Sequence, residues 1–402
     1  MSRSARNPVS DLRGAARMAV DATAGIVDVV ERMHRTILSR PAPFGAAVEG
    51  ATRGVTGLVY RSVRGGTRLV GRGIDASLRL VEDVVPEGES TAQRDALLAI
   101  VNGVYGDYLA RTGNPLAIEM SLRHRGRTLD PADPARSVMA NGAAPTGRLL
   151  VLIHGLCMND RQWARDGVDR AADLGEARGY APLHLRYNTG LHVWENGERL
   201  AAALESLAAR WPRAVEEIAI VGHSMGGLVA RSACHTAGEQ GHAWLERLSK
   251  LVFLGTPHHG APLERGGHGV DLFLSLSPYS APLALGKARS AGIRDLRHGT
   301  ITAGGHRAVH RAVPLPADVQ CYAAAATLAS RRGRLAERLV GDGLVPLDSA
   351  LGRHTDGARK LRIPREHQWI GYEMGHLALL HRPEVHAQLR TWLQAPRDAK
   401  KA

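Results

Sequence analysis

Glu217-Ile-Ala-Ile-Val-Gly-His-Ser-Met-Gly-Gly-Leu-Val-Ala-Arg-Ser232 decides the fold of this chain. Residues 217–221 form a short apolar run rich in β-branched side chains, which predicts a buried strand. From Met225 onward the pattern is helical. Between the two, Gly222-His223-Ser224-Met225-Gly226 carries glycines two before and two after the serine. A chain turning this sharply leaves no room for side chains there, and the turn lifts the Ser224 hydroxyl to the tip of a sheet. The following helix points its positive end at the same place. Strand, glycine-flanked serine and helix in that order make Ser224 a candidate nucleophile; an incidental turn serine is the plain alternative.

A serine hydroxyl is a weak nucleophile unless a histidine takes its proton and a carboxylate orients that histidine. On a sheet of this kind the partners follow in the order Ser, Asp, His. Asp342 in Leu339-Val-Gly-Asp-Gly-Leu-Val-Pro346 follows a strand and lies between two glycines that let a loop bend back. Asp348 is its nearest rival, and Asp318 precedes its strand, at the wrong end. Of 19 histidines, His376 in Tyr372-Glu-Met-Gly-His-Leu-Ala-Leu-Leu380 precedes the last helix, where a final loop returns over the nucleophile. His367 and His381 compete with it. The negative oxygen that forms on attack needs backbone N–H donors. One is expected at Met225. The other is expected at Leu156, in the tight turn His154-Gly155-Leu156, with Cys157 as the neighbour able to replace it.

Around this centre, strand-like and helix-like segments alternate. Strands are predicted over 148–153, 181–186, 217–221, 251–254 and 319–324. Helices are predicted over 97–109, 161–178, 195–210, from 225 onward and over 383–393, with a hairpin over 118–129 turning at Arg125-Gly126. The alternation implies an α/β fold, a mostly parallel central sheet with helices on both faces.

Residues 148–159, 222–227, Gly255-Thr-Pro-His-His-Gly-Ala-Pro262, 341–346 and Gly375-His376-Leu377 resemble the α/β-hydrolase superfamily. Within it they are most similar to bacterial lactonising-type lipases and GPI inositol-deacylase-like esterases, over about residues 92–395. The resemblance implies a triad of Ser224, Asp342 and His376 and an acyl-enzyme mechanism on a carboxylic ester. It implies no cofactor. His258 and His259 bring no visible carboxylate cluster with them, so no metal site is assigned. Between about 262 and 313 lies an insertion with Val270-Asp-Leu-Phe-Leu-Ser-Leu276 and Pro282-Leu-Ala-Leu285. At that place an apolar helical segment is expected to cap the acyl pocket, which suits a hydrophobic ester substrate.

Residues 1–90 differ from 91–402: all six tryptophans lie at or beyond Trp163, and up to Ser90 the only aromatics are Phe44 and Tyr60. A helical N-terminal extension over 1–90 followed by the hydrolase domain over 91–402 is therefore expected. Met18, Ala22, Ile26, Val29, Met33 and Ile37 fall on one helical face. Farther on, Leu58-Val59 recurs as Leu69-Val70 and Leu80-Val81, eleven residues apart. Eleven residues make three turns, so this apolar stripe hardly drifts around a straight helix. Six arginines (Arg53, Arg61, Arg64, Arg68, Arg72, Arg79) accompany one acid, Asp75, between Gly50 and Val81. Such a helix suits peripheral contact with a lipid surface. Its seven glycines weaken it in isolation, leaving packing on the rest of the chain or on another copy, or disorder, as the other outcomes. A protein of a lipid surface or polyester granule, with this region as its main functional element, is the alternative to the enzyme reading.

Of 52 basic residues only five are lysines, an arginine bias spread along the chain that gives much of the net charge of +13. With no interleaved aromatics it does not describe a nucleic-acid surface. Cys157, Cys234 and Cys321 are too few for a disulfide framework, and neither a secretion signal nor a membrane span is read. A cytoplasmic protein, peripheral on a membrane or granule, is the expectation; the oligomeric state is not legible.

Overall fold

In a computed structural model of the chain the described residues are 5–6, 8–39, 54–82, 88–139, 145–261, 290–304, 313–330 and 341–395. They divide into two compact units, one of the described residues up to Glu89 with Thr112–Leu116, the other of Ser90–Arg111 and the described residues from Ala117 onward. The short piece Thr112–Leu116 thus joins the helical unit from beyond residue 90.

The helical unit is a pair of long helices, α1 (Pro8–Ser39) and α2 (Gly54–Glu82). Beneath them β1 (Ala5–Arg6) pairs antiparallel with β2 (Gly88–Glu89). The helices run antiparallel: Arg17 meets Asp75, Val20 meets Gly71, and Arg64 meets Asp28 and Glu31. The approach is close because the facing residues are small. A Cβ on Gly71 would lie 2.7 Å from Val20 Cγ1. One on Gly14 would lie 2.7 Å from Asn114 Oδ1, where Asn114 Nδ2 donates to the Gly14 carbonyl at 3.1 Å. Gly57 and Ala24 are buried, as is the carboxylate of Glu31. Several large apolar residues point the other way. Leu58, Val59, Val63, Leu69, Val70 and Ile74 of α2 are exposed, Leu69 to 70%, and so are Leu12 and Ile26 of α1.

In the second unit eight strands follow the spatial order β10-β9-β8-β7-β5-β6-β3-β4. They are β3 (Ser121–His124), β4 (Arg127–Thr128), β5 (Arg148–Ile153), β6 (Ala181–Arg186), β7 (Glu217–His223), β8 (Leu248–Leu254), β9 (Gln320–Thr327) and β10 (Gln368–Tyr372). All pairs are parallel except β3 with β4 and with β6. This is the α/β-hydrolase fold.

Successive residues of the central strands feed two cores, as the pleat requires. Leu149, Val151, Ile153, Ile218, Ile220, Leu251 and Phe253 face one side, packed with Leu200 and Leu204 of α6 (Val193–Arg210) and Leu228 and Val229 of α7 (Met225–Gln240). Leu150, Leu152, Ala219, Val221, Val252 and Leu254 face the other, with Leu174 of α5 (Arg170–Glu176) and Leu389 and Trp392 of α10 (Pro383–Gln394). Helices on both faces explain why these strands read as unbroken apolar runs. The remaining helices are α3 (Ala92–Arg111), α4 (Pro134–Met139), α8 (Ala291–His298) and α9 (Leu347–Ala350).

Three local expectations need correction. The helix expected over 161–178 is a short turn, Asp160–Trp163, and then α5. Asp166 and Gly167 take positive φ (54° and 79°), the chain closes a small bridge from Arg165 to Val168, and the Asp169 side chain caps α5 by accepting from Ala172 N–H. Next, β8 starts three residues early, because Ser249 and Lys250 are accommodated by Glu217 Oε1, with Lys250 Nζ at 3.0 Å. Finally, β10 was not expected at all. The cap expected over 262–313 lies outside the described residues apart from 290–304, where α8 is found, and residue 313.

Candidate active site

Ser224 caps α7 with φ 53° and ψ −123°, a left-handed conformation that a side-chain-bearing residue adopts at a cost of about 1 kcal/mol or more. The glycines around it show what enforces the bend. A Cβ on Gly222 would lie 2.6 Å from Gly227 Cα, and one on Gly226 would collide with the Ile153 carbonyl and lie 2.6 Å from that of His154. The elbow is therefore pressed against the end of β5. On its other side the Ser224 N–H donates to the Leu254 carbonyl at the end of β8, 2.8 Å away.

Asp342 lies after β9 between Gly341 (φ 52°) and Gly343 (φ 93°). Its Oδ1 accepts the N–H groups of Leu344 (3.0 Å) and Val345 (2.8 Å), and its Oδ2 lies 2.6 Å from His376 Nδ1. The His376 N–H also donates to the Asp342 carbonyl at 3.2 Å, so backbone and side chain are both held. Both residues are buried. With Nδ1 on the carboxylate, the ring is assigned the tautomer protonated there, and Nε2 is left as the basic nitrogen. Nε2 is buried and has no hydrogen-bond partner among the described residues. The ring is next to the elbow's own support: a Cβ on Gly255, the residue after Leu254, would meet His376 Cε1 at 3.0 Å. Gly255 has φ 61°, so a glycine is needed there on two counts.

The rivals are engaged elsewhere. His367 Nδ1 faces the Cys321 carbonyl at 3.2 Å and its ring lies 4.3 Å from that of Tyr322. His381 follows the turn His376–Leu380 as its C-cap.

The turn after β5 completes the constellation. A Cβ on Gly155 would lie 3.0 Å from Ser224 Cβ, so this turn packs directly on the serine. Of the two donors considered there, Cys157 N–H already donates to Thr189 Oγ1 at 3.2 Å. Leu156 N–H has no acceptor among the described residues. Met225, as the first residue of α7, has one of the helix N–H groups that no intrahelical carbonyl satisfies. Burial pushes the Cys157 thiol up to about 12, which removes it as a competing nucleophile.

Two neighbouring histidines are held neutral. Burial lowers His154 to about 4; its Nδ1 lies 3.0 Å from the Gly155 carbonyl and its ring stacks on Tyr187. His223, in the quoted motif but given no part from sequence, lies 4.8 Å from the His376 ring, with Nε2 3.3 Å from the His376 carbonyl. Burial first, then the neighbouring His376, holds it well below the usual histidine range. Just past the turn, Asp160 binds Arg123 (2.7 Å) and Arg186 (2.6 Å), and Arg186 also binds Asp95 (2.9 Å). Burial pushes the Asp160 carboxyl up, but the two guanidinium groups outweigh it and hold it below its ordinary range. Asp160 carries no motif; only its long-range pairing reveals that it anchors the turn. His258 Nδ1 lies 3.4 Å from Arg231 Nη1, and the His259 N–H donates to Ser349 Oγ at 3.1 Å. Among the described residues no group of three His, Cys, Asp or Glu side chains is arranged to hold a metal ion.

Residues 144–327 match the family model described as the PGAP1-like alpha/beta domain, which bears out the resemblance to GPI inositol-deacylase-like esterases. No curated protein matches the chain. Among solved structures it is similar to Bacillus licheniformis lipase BlEst2 in its mature form, at 17% identity over 68% of this chain and 98% of that one, with a TM-score of 0.43. Aspergillus fumigatus lipase B is similar at 14% identity over 70% and 58% (TM-score 0.41), and the Pyrococcus furiosus esterase PF2001 at 15% over 62% and 82% (TM-score 0.37). Likenesses this distant bear on neither the chemistry nor the substrate of this chain.

Proposed function

We propose that this chain is a serine hydrolase cleaving carboxylic esters of hydrophobic acyl groups through an acyl-enzyme. Ser224 is the nucleophile, His376 the base, Asp342 the orienting acid, and the N–H groups of Leu156 and Met225 the oxyanion donors. The observation that carries the reading is the buried 2.6 Å pairing of Asp342 Oδ2 with His376 Nδ1, on a ring whose Nε2 is otherwise unused beside the serine elbow. Ser224 Oγ bonds the ester carbonyl carbon as its proton passes to His376 Nε2, and the carbonyl π pair moves to oxygen. That oxygen is held by backbone N–H groups, which cost no reorganisation during the reaction. Collapse breaks the bond to the alcohol oxygen, which takes the proton from Nε2. Water repeats the sequence on the acyl group and frees the acid. Asp342 keeps the imidazole in the right tautomer and stabilises its charged form.

The hydrophobic acyl preference is supported by the apolar insertion read in the sequence. Replacing Ser224 by Ala should lower turnover of a short p-nitrophenyl ester by on the order of 10⁴-fold or more, with an unchanged circular dichroism spectrum. Retained turnover overturns the proposal. A series of acyl chain lengths tests the substrate class, and a rate falling steadily with chain length counts against a hydrophobic acyl pocket.

A further inference from the structure

The geometry of the helical unit points to a binding surface: we infer that the outward face of α2 docks on an anionic lipid bilayer. At 100° per residue, Leu58, Val59, Val63, Leu69, Val70 and Ile74 fall within an arc of about 160°. The stripe runs about 24 Å from Leu58 to Ile74. Every one of these side chains is exposed, Val70 to 62%. The face turned to α1 is a different one, with Arg64, Gly71 and Asp75. The stripe is therefore not a core face that α1 left half covered. It is the surface that remains after α2 has satisfied its partner with small and charged residues.

Charge identifies the occupant. Arg64 is consumed by Asp28 and Glu31, and Arg79 leans on Asp75. Arg61, Arg68 and Arg72 are exposed, have no ion-pair partner among the described residues, and lie together along one edge of the stripe. An apolar strip with a cationic edge lies flat at a bilayer interface, side chains among the acyl chains and guanidinium groups at anionic headgroups. A second copy fits less well. An antiparallel two-fold pairing of stripes brings these arginine edges toward each other with no acid between them. The stripe is also gapped at Gly66 and Gly73, where nothing lies within 4 Å of an added Cβ. Fluid hydrocarbon fills such gaps, whereas a helix partner needs knobs at each turn.

The test is flotation of the full-length protein with vesicles of phosphatidylcholine alone or with phosphatidylglycerol added, beside light scattering to read its oligomeric state. The protein should float with the anionic vesicles and much less with the neutral ones. Leu69→Glu with Val70→Glu should cut the bound fraction about tenfold or more, and so should Gln at Arg61, Arg68 and Arg72 together. All five positions are exposed, so an unaltered circular dichroism spectrum is expected of both variants. No flotation on anionic vesicles, or flotation indifferent to both variants, overturns the inference. So does a dimer that the L69E/V70E pair dissolves while vesicles are ignored. Flotation reads binding and not turnover, so it stands or falls apart from the catalytic proposal.

Discussion

The two units of this chain bury opposite kinds of residue. In the sheet unit the apolar side chains of β5 to β9 go inward on both faces, and the Lys250 that follows them in is paired with Glu217. In the helical unit Gly14, Ala24, Gly57 and the Glu31 carboxylate go inward, while Leu58, Leu69 and Ile26 stay out. Hydrophobic patterning was strong in both, unbroken in the strands and periodic in α1 and α2. It reveals that an element has two faces; which of them meets a neighbour depends on how closely the backbones approach, and glycine decides that for α1 and α2.

The comparison breaks most easily at the site. Asp342→Asn should lower kcat for a soluble ester about 10³- to 10⁴-fold, because the amide favours the wrong histidine tautomer. The same variant should float on vesicles as the wild type does; a joint loss means the two units do not act separately. Gly226→Ala should cost about 10²-fold in turnover, since its Cβ pushes against the Ile153 and His154 carbonyls and displaces serine and oxyanion turn together. Turnover at the wild-type level would mean that this approach is not needed.

Glu217 sharpens the sheet half of the comparison. Burial raises its carboxyl, yet hydrogen bonds from Ser249 and Tyr180 and the charge of Lys250 bring it down to about 2. A depressed carboxyl stabilises the fold above its unfolded value of about 4.5, and the contribution is lost as pH falls toward 2. Glu217→Gln should therefore remove on the order of 2 kcal/mol at neutral pH and flatten the acid limb of the stability curve. An unchanged acid limb in chemical denaturation would count against it. The smallest effect is expected in the hairpin. Gly71→Leu should weaken the α1–α2 pair by about 1–2 kcal/mol, seen as lost helicity on mild heating, with ester turnover unaffected.

The sheet was legible because buried parallel strands are written as apolar runs, Ser224 because it stands at a strand end between glycines, and Asp342 and His376 were legible as candidates from the glycines flanking the one and the last helix following the other. The sequence could not show that Asp342 and His376 come within 2.6 Å, since 34 residues separate them. It also missed β10. Gln368-Trp-Ile-Gly-Tyr372 lies at the sheet edge with only Gly371 fully buried, so no apolar run marks it. The break in the helix expected over 161–178 had a signal, Asp166-Gly167, a turn dipeptide that outweighed the apolar spacing around it. For α2 the eleven-residue spacing was plain, but its outward direction was not, because it depends on Gly71 meeting Val20 of α1.

The interface between α1 and α2 has a thermodynamic consequence. Heat-capacity change and denaturant sensitivity both scale with the apolar surface that unfolding exposes. Parting these helices exposes glycine, alanine, arginine, carboxylate and the half-buried Val20, while Leu58, Val59, Val63, Leu69 and Val70 are already in solvent. The hairpin should thus open with little calorimetric signature and a shallow urea dependence, an event nearly silent beside the steep cooperative transition of the sheet. Its cohesion belongs instead to ionic strength, which loosens Arg17 from Asp75 and Arg64 from Asp28 while leaving the sheet core untouched.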